Sequence, residues 1–433
     1  MKRSIGIDFG TTNSAIAEAT PSGAAVAQFA CDGGQRSTDT FRSVLYFHPD
    51  RRGREGELVP LAGPLGIEQY LGAHDGRGRL IQSLKSYLAD RLFEATSVFG
   101  RGYSFHDLLT LLLRDLRAQA ERSLGPLGSR VVVGRPVRFS NAETEEDDAR
   151  AVSRLTAAFA AAGWDDVTLV PEPVAAAHFY ERRLDHDEIV LVGDFGGGTS
   201  DFTLAHVGPT RRRERRAGVI ATSGVALAGD AIDARIVDHV VAPAVGRGTT
   251  YRSMFGKTLD VPVWLFTKLR RWHHLSFLNN RTTLALLDEI AISSSAPDAI
   301  QALRDILDNE EGYSLYRAVE RTKIALSAGE QARFCFEGAS ATIERDVTRA
   351  ELESWIEAET AAMEAAVDRV MQAAGLAPSD VGRVFLTGGT SFVPAVRRIF
   401  ESRFGKDRIE SGGEMISVAS GLALLAGEAA CDR

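Results

Sequence analysis

Cysteine is scarce in this 433-residue chain: Cys31, Cys335 and Cys431 are the only three, and none sits at a paired or metal-ligand spacing. That excludes a disulfide framework and a thiolate zinc site, and it fits a reducing, cytoplasmic setting. An excess of positive charge is missing too. Fifty Lys and Arg against 58 Asp and Glu leave a net charge of −8, which argues against nucleic acid, since such a partner needs a basic face. No apolar run approaches the roughly 20 residues of a membrane helix, and no apolar core follows the charged N-terminus, so neither a membrane span nor a secretion signal is expected. Gly256-Lys257-Thr258 and Gly405-Lys406 lack the glycine five residues upstream that a Walker A loop requires. No Gly-x-Ser-x-Gly elbow occurs, and no His-Arg-Asp loop accompanies either Asp-Phe-Gly, which excludes a protein kinase. No long linker or low-complexity segment divides the chain.

Two stretches are built alike. Ile5-Gly6-Ile7-Asp8-Phe9-Gly10-Thr11-Thr12-Asn13-Ser14 and Ile189-Val190-Leu191-Val192-Gly193-Asp194-Phe195-Gly196-Gly197-Gly198-Thr199-Ser200-Asp201 each read as an apolar strand, an Asp, a Gly-Thr turn and a second strand. Glycines let amide N–H groups approach an anion closely, and the hydroxyls add donors. Asp8 and Asp194 suit a hydrated magnesium ion, which takes few protein oxygens and keeps its waters. One such hairpin is a weak signal. Two of them predict a clamp on a polyphosphate.

Around these, strands and helices alternate, which predicts α/β architecture in two related lobes. With 44% hydrophobic residues, each lobe has material for a core. Residues 24 to 60 read as short strands and turns, Arg42–Phe47 being the clearest strand. Leu80–Leu88 and Leu108–Leu116 have helical spacing, and Val131–Val137 is a buried strand. Asn141 is the expected N-cap of an acidic helix reaching Ala162. Val167–Val170 is a strand, and Pro171-Glu172-Pro173 opens the next helix. The basic run Arg211–Arg216 reads as an exposed loop. Residues 234 to 312 read as helical and aromatic, with Trp264, Trp272, His273, His274 and Phe277; they are either a partner surface or an enlarged subdomain's own core. The neighbouring histidines face different ways on a helix, so they are not expected to bind metal. A helix over Ser314–Leu326, strands near Arg333–Phe336 and Ala341–Ile343, a long helix over Arg349–Ala373, a strand into Gly388-Gly389 and a final helix over Met415–Leu425 complete the chain.

In this order, these motifs resemble the ATPase domain of the Hsp70 (DnaK-type) chaperones, within the actin/hexokinase-like fold, and look most like the short YegD-type members. The resemblance covers nearly the whole chain. It implies duplicated ribonuclease H-like lobes: residues 1–182 (40–107 an upper subdomain), joined by the terminal helix 411–433, and residues 183–410, with an enlarged upper subdomain at 227–356. It also implies binding and slow hydrolysis of ATP, with ADP as product and Mg²⁺ as cofactor. Asp8 and Asp194 would hold the metal through its waters. Thr11, Thr12, Gly196, Gly197 and Thr199 would bind phosphates, with Gly10, Asn13, Gly198 and Gly229 also among the nucleotide-binding residues. Lys85, Glu172, Asp194, Thr199 and Asp201 would carry catalysis, Glu172 orienting the attacking water. Glu320, Lys323 and Ser327 would hold the nucleoside, with Gly388, Gly389, Thr390 and Phe392 near the base.

Chemistry alone reaches similar roles, because phosphoryl transfer depends on positioning and charge neutralisation. Glu320, Lys323 and Ser327 share a helix face. Singly, that triplet reads as a solvated face, Glu172 as a helix-start acid and Lys85 as a surface lysine; beside the two hairpins they read as a site. Phe392 stands where the family has a stacking Arg, so its ring either stacks on the base or packs in the core. Ala228 replaces a family Gly, and Ser417–Ala423 is only weakly similar to the last connecting helix. Arg433 closes the chain soon after the ATPase core, so the peptide-binding part is expected to be missing. A protein partner or co-chaperone remains open. So do a non-hydrolysing regulatory module, a metabolite kinase and a filament-forming relative of the same fold.

Overall fold

The computed structural model describes residues 3–73, 77–214, 218–270, 275–411 and 416–431. Arg215, Arg216, Trp272, His273, His274, Met415 and Arg433 lie outside the described residues, as do the side chains of Phe277 and Cys431. The chain divides into two compact units: residues 1–228, 362–391 and 396–433 form one, and 229–361 with 392–395 the other. A lobe boundary at 182/183 falls inside the first unit, between its two main sheets.

The first sheet contains β1 (Ile5–Asp8), β2 (Asn13–Thr20), β3 (Gly23–Val26), β4 (Phe41–Arg42), β5 (Arg130–Arg135) and β6 (Asp166–Pro171). Its order is β6-β5-β1-β2-β3, with β4 also on β2. The second contains β7 (Glu188–Phe195), β8 (Ser200–Val207), β9 (Val219–Val225), β10 (Arg383–Thr387) and β11 (Ile409–Ser411), ordered β9-β8-β7-β10-β11. The two match strand for strand. In each, the hairpin strands and their outer neighbour are antiparallel, and two parallel strands extend the other side. This is the duplication that the paired motifs predicted, and it makes the chain an actin-like ATPase fold of mixed α/β structure.

Alternation along β1 explains how the first sheet is covered. Ile5 and Ile7 point into one core, with the helices α1 (Phe105–Leu124) and α2 (Glu145–Ala161) supplying Leu108, Leu112, Leu155 and Phe159. Gly6 faces the other way, toward α4 (Ser417–Cys431). Helix α4 lies on β1, β2 and β5, while α3 (Glu172–Glu181) lies on β7 and β8 and packs against α4. Ala175, Ala176, Tyr180, Val190, Val192, Leu422 and Ala426 close this core.

His178 pins the two helices together, with Nδ1 3.3 Å from Glu181 and Nε2 3.3 Å from Glu428, the latter an ion pair without hydrogen-bond geometry. Burial acts to lower its pKa, but the two carboxylates outweigh it and hold the value at about 9. A folded-state pKa above the unfolded one gives stability that is complete below pH ~6.5 and lost as pH rises through about 9. The full loss is about 3 kcal/mol. Urea midpoints should therefore fall more steeply between pH 6.5 and 9.5 for wild type than for His178→Gln. Parallel slopes would disprove it.

Several local expectations are corrected. The acidic helix starts at Glu145, not at an Asn141 cap: Thr144 and Asp147 form a reciprocal capping box, while Asn141 takes a left-handed backbone. Leu80–Leu88 is not a helix. Arg79–Gln82 is a strand on Val44–Phe47, Ser83 is left-handed (φ 54°), and only Leu84–Tyr87 winds into a 3-10 turn. The strand foreseen over Arg42–Phe47 is split at Ser43. Pro209–Glu214 is a short helix rather than a loop.

In the second unit, the long helix divides at Ile356 into Arg349–Trp355 and Glu357–Ala374, the latter running on into the first unit. The region 234–312 is mainly helical but contains a hairpin, Thr250–Arg252 with Thr258–Asp260. Leu265, Phe266, Leu269 and Leu278 are buried there, whereas Met254, Phe255, Val263 and Ile292 are strongly exposed and Trp264 less so. Core packing thus accounts for part of this apolar content and leaves the rest on the surface. No described helix is long and apolar enough to cross a membrane.

Candidate phosphate and nucleoside site

The ends of β1 and β7 place Asp8 and Asp194 at matching positions, each just before its glycine turn. In the first turn, a Cβ on Gly10 would lie 1.9 Å from the Asn13 carbonyl, so only glycine fits. Ser43 clamps this turn from β4's side. Its hydroxyl donates to the Gly10 carbonyl at 2.8 Å and lies 2.9 Å from the Ser14 hydroxyl, and its N–H donates to the Thr12 carbonyl at 2.9 Å. Asn13 accepts from Arg42 at 3.5 Å. In the second turn, the Gly196 N–H donates to the Thr199 carbonyl at 2.9 Å. Among the described residues no acceptor takes the N–H of Thr11, Thr12, Gly197 or Gly198. Uncommitted amides on glycine turns are what an anion requires.

Lys85 reaches Glu172 at 2.7 Å, an ion pair with both side chains about nine-tenths buried. The left-handed Ser83 turns the chain so that Lys85 leaves the 3-10 turn inward. Pro171 caps α3, putting Glu172 at its first position. Asp194 and Asp201 sit opposite each other on β7 and β8, and both are buried. Burial, then the neighbouring Glu172, push Asp8 up to about 7 and raise Asp194 well above the carboxylate range. The same two causes lift Asp201 to about 7, against the lowering pull of the Thr199 hydroxyl, Lys85 and the Val137 N–H. Burial opposes the charge on Lys85, yet Glu172, Asp8 and Asp194 more than offset it and raise its pKa.

The chemistry of this donor set tests the implied metal. Asp8, Glu172, Asp194 and Asp201 surround a single ammonium, so the buried cluster carries more negative charge than Lys85 neutralises. A divalent cation would balance it. Among the described residues no three His, Cys, Asp or Glu side chains stand close enough to ligate a metal directly, and a magnesium ion held through its waters does not need them to. The residues present fit the ion.

Gly388 follows β10 with φ +84°, and a Cβ there would lie 2.0 Å from the Phe195 carbonyl, which ties this turn to the second hairpin. Next to it Thr390 is buried, and the Ser391 hydroxyl donates to Gly388 at 2.6 Å; a Cβ on Gly389 would meet open space. The structure thus gathers Asp8, Gly10, Thr11, Thr12, Asn13, Lys85, Glu172, Asp194, Gly196, Gly197, Gly198, Thr199, Asp201, Gly388, Gly389 and Thr390 in the first unit.

Gly229, Glu320, Lys323, Ser327 and Phe392 belong to the second. There Gly229 starts a helix (Gly229–Ile236) whose Asp233 accepts from Lys323 at 2.8 Å and from the Tyr316 hydroxyl at 2.6 Å. Ser327 turns its hydroxyl back to the Lys323 carbonyl. Phe392 is 51% exposed, so it is not a core residue.

Sequence reasoning missed the supports. Asp233 and Tyr316 fix Lys323, and Ser43 fixes the first turn. Gly134 on β5 clears room for Glu172, and Gly224 on β9 for Asp201: a Cβ there would come within 2.9 Å and 2.6 Å of those side chains. No local pattern marks such positions, because each is defined by a distant neighbour.

Comparison with known proteins agrees with this geometry. The family model described as Hsp70 protein matches residues 85–247 and 300–430. The chaperone protein DnaK of Thermus thermophilus is 26% identical over 99% of this chain and 61% of its own length. Those of Deinococcus proteolyticus and Thermosipho melanesiensis are each 26% identical over 59% of their length, covering 99% and 98% of this chain. The chain therefore spans about three fifths of the length of the curated relatives it matches. With paired sheets, paired glycine turns and a family match over more than half of its residues, this chain belongs to the Hsp70 protein family.

Proposed function

We propose that the chain binds Mg·ATP and hydrolyses it slowly, as a chaperone-related ATPase. The observation that carries this reading is the buried Asp194 and Asp201 with the half-buried Asp8 around the Lys85–Glu172 pair, flanked by turns in which, among the described residues, the amides of Thr11, Thr12, Gly197 and Gly198 meet no acceptor. Thr11, Thr12, Gly197 and Gly198 cradle the phosphates through backbone N–H groups and hydroxyls, while Gly196, its N–H held by the Thr199 carbonyl, shapes the second turn. Lys85 offsets charge that develops on the transferred phosphoryl group. Glu172 orients the attacking water, and Asp201 with Thr199 borders it. Asp8 and Asp194 hold magnesium through its waters; when bound, the ion neutralises and orients the phosphate oxygens. The family resemblance, not the geometry, assigns the nucleoside to Glu320, Lys323 and Ser327 and the base to Gly388, Gly389 and Phe392.

The relatives are chaperone proteins, which supports a chaperone role, and a protein partner or co-chaperone belongs to the same proposal. The exposed Met254, Phe255, Val263 and Ile292 support a partner surface on the 234–312 region. The YegD-type assignment rests on the motif resemblance alone, and a cytoplasmic setting on the spacing of the cysteines.

Titration of the wild type with fluorescent ATP, beside single-turnover hydrolysis, tests the reading. Chelating magnesium should weaken binding at least ~10-fold and stop hydrolysis. Binding without hydrolysis would reduce the protein to a nucleotide sensor. Absence of binding would overturn the proposal.

A further inference from the structure

A third loop, unmarked in the sequence, closes on the second hairpin and on the turn that carries Lys85. It joins β5 to α2 over residues 136–144 and touches the site at three places. A Cβ on Gly198 in the second phosphate turn would lie 3.0 Å from the Ser140 hydroxyl, so this hydroxyl already rests against the turn. The Val137 N–H acts on the Asp201 carboxylate. Asn141 donates from Nδ2 to the Ser86 carbonyl at 3.0 Å, next to Lys85. Asn141 holds φ at 63°, a conformation that asparagine tolerates better than most residues but that still costs energy. The loop is anchored from behind as well: Arg135 bridges Asp148 at 2.8 Å, and the Phe139 N–H donates to Asp148 at 3.2 Å.

Ser140 is half-buried, and among the described residues its hydroxyl has no hydrogen-bond partner. We infer that Ser140 is a phosphate-contacting residue, donating its hydroxyl to the nucleotide at the Gly198 turn. The inference rests on the ATP-binding reading above. It gives the second turn a hydroxyl from outside its own hairpin, much as Ser43 serves the first; the difference is that Ser43 is consumed by backbone contacts and Ser140 is free.

The test compares wild type, Ser140→Ala and Ser140→Thr in binding Mg·ATP and Mg·ADP. The lost hydroxyl should weaken Mg·ATP binding about 10-fold, the worth of one hydrogen bond to a charged group, and threonine should restore it. Weakening of ATP alone assigns the contact to the terminal phosphate; equal weakening of ADP assigns it to the one before. Because the hydroxyl has no partner among the described residues, the urea midpoint of Ser140→Ala should match wild type, and a shifted midpoint with unchanged affinity would make the residue structural only and overturn the inference. Unchanged affinities for both nucleotides would do the same while leaving the ATP reading intact. If wild type itself binds no nucleotide, both readings fall.

Discussion

Lys85→Ala should slow single-turnover ATP hydrolysis by ~10²–10³-fold, the usual worth of one preorganised charge at a transition state, while Mg·ATP still binds. Two effects compete in this variant. Removing the ammonium takes away a group that neutralises developing phosphoryl charge. It also strands Glu172 among Asp8 and Asp194 without its ammonium partner, and breaking a buried pair from one side costs about 3–5 kcal/mol. A fall in rate could therefore follow from a loosened fold. The double variant Lys85→Met/Glu172→Leu separates the two, since replacing both charges with apolar groups of similar size is often neutral or stabilising. Its urea midpoint should return toward wild type, and its hydrolysis should not. Recovery of hydrolysis in the double variant would show the pair to be scaffolding. Glu172→Ala alone should keep binding and lose rate; loss of binding instead would move Glu172 from water orientation to ligand contact.

Gly421→Ala should destabilise the fold by about 2 kcal/mol or more, although alanine is the better helix former by about 1 kcal/mol. The opposing signs make this informative. Where α4 crosses α3, a Cβ at position 421 would lie 1.9 Å from the Ala175 carbonyl oxygen, and backbone cannot swing aside as a side chain can. The helices must separate, and α3 carries Glu172 in its first turn, so hydrolysis should fall as well. Gly427 provides the control on the same helix. Its added Cβ would be 3.4 Å from the Ala19 Cβ, an ordinary contact, so Gly427→Ala should be neutral or stabilising. Urea denaturation of both variants decides the point. Equal midpoints would mean that the crossing yields more readily than its geometry indicates.

What the sequence disclosed, and what it hid, follows from the range of each signal. The hairpins were legible because Asp, glycines and hydroxyls sit within a few residues and alternate with apolar strand positions. The Lys85 segment was misread because Leu80, Leu84 and Leu88 have helical spacing, and nothing local announces that Ser83 turns left-handed while Arg79–Gln82 pairs with Val44–Phe47. The N-cap was placed at Asn141 on residue type, whereas the reciprocal Thr144–Asp147 bonds decide it three residues on. Ile356 breaks its helix without proline or glycine. Ser140, Ser43, Gly134 and Gly224 acquire their roles from partners brought close only by the sheets.

Helix α4 also bears on how the chain is made. It covers the Gly6 face of β1 and β2, yet it is synthesised nearly 400 residues after them. At about 5–20 residues per second, a ribosome leaves that face bare for roughly 20–80 s. The surface left waiting is poor in large apolar side chains: Ala15 and Ala17 meet Ala419 and Ala423 once α4 arrives, with Ala19, Ala24 and Val26 at the margin. Alanine offers a nascent chain little to stick to, so the sheet face that waits longest for its cover is also one that has little to be captured by.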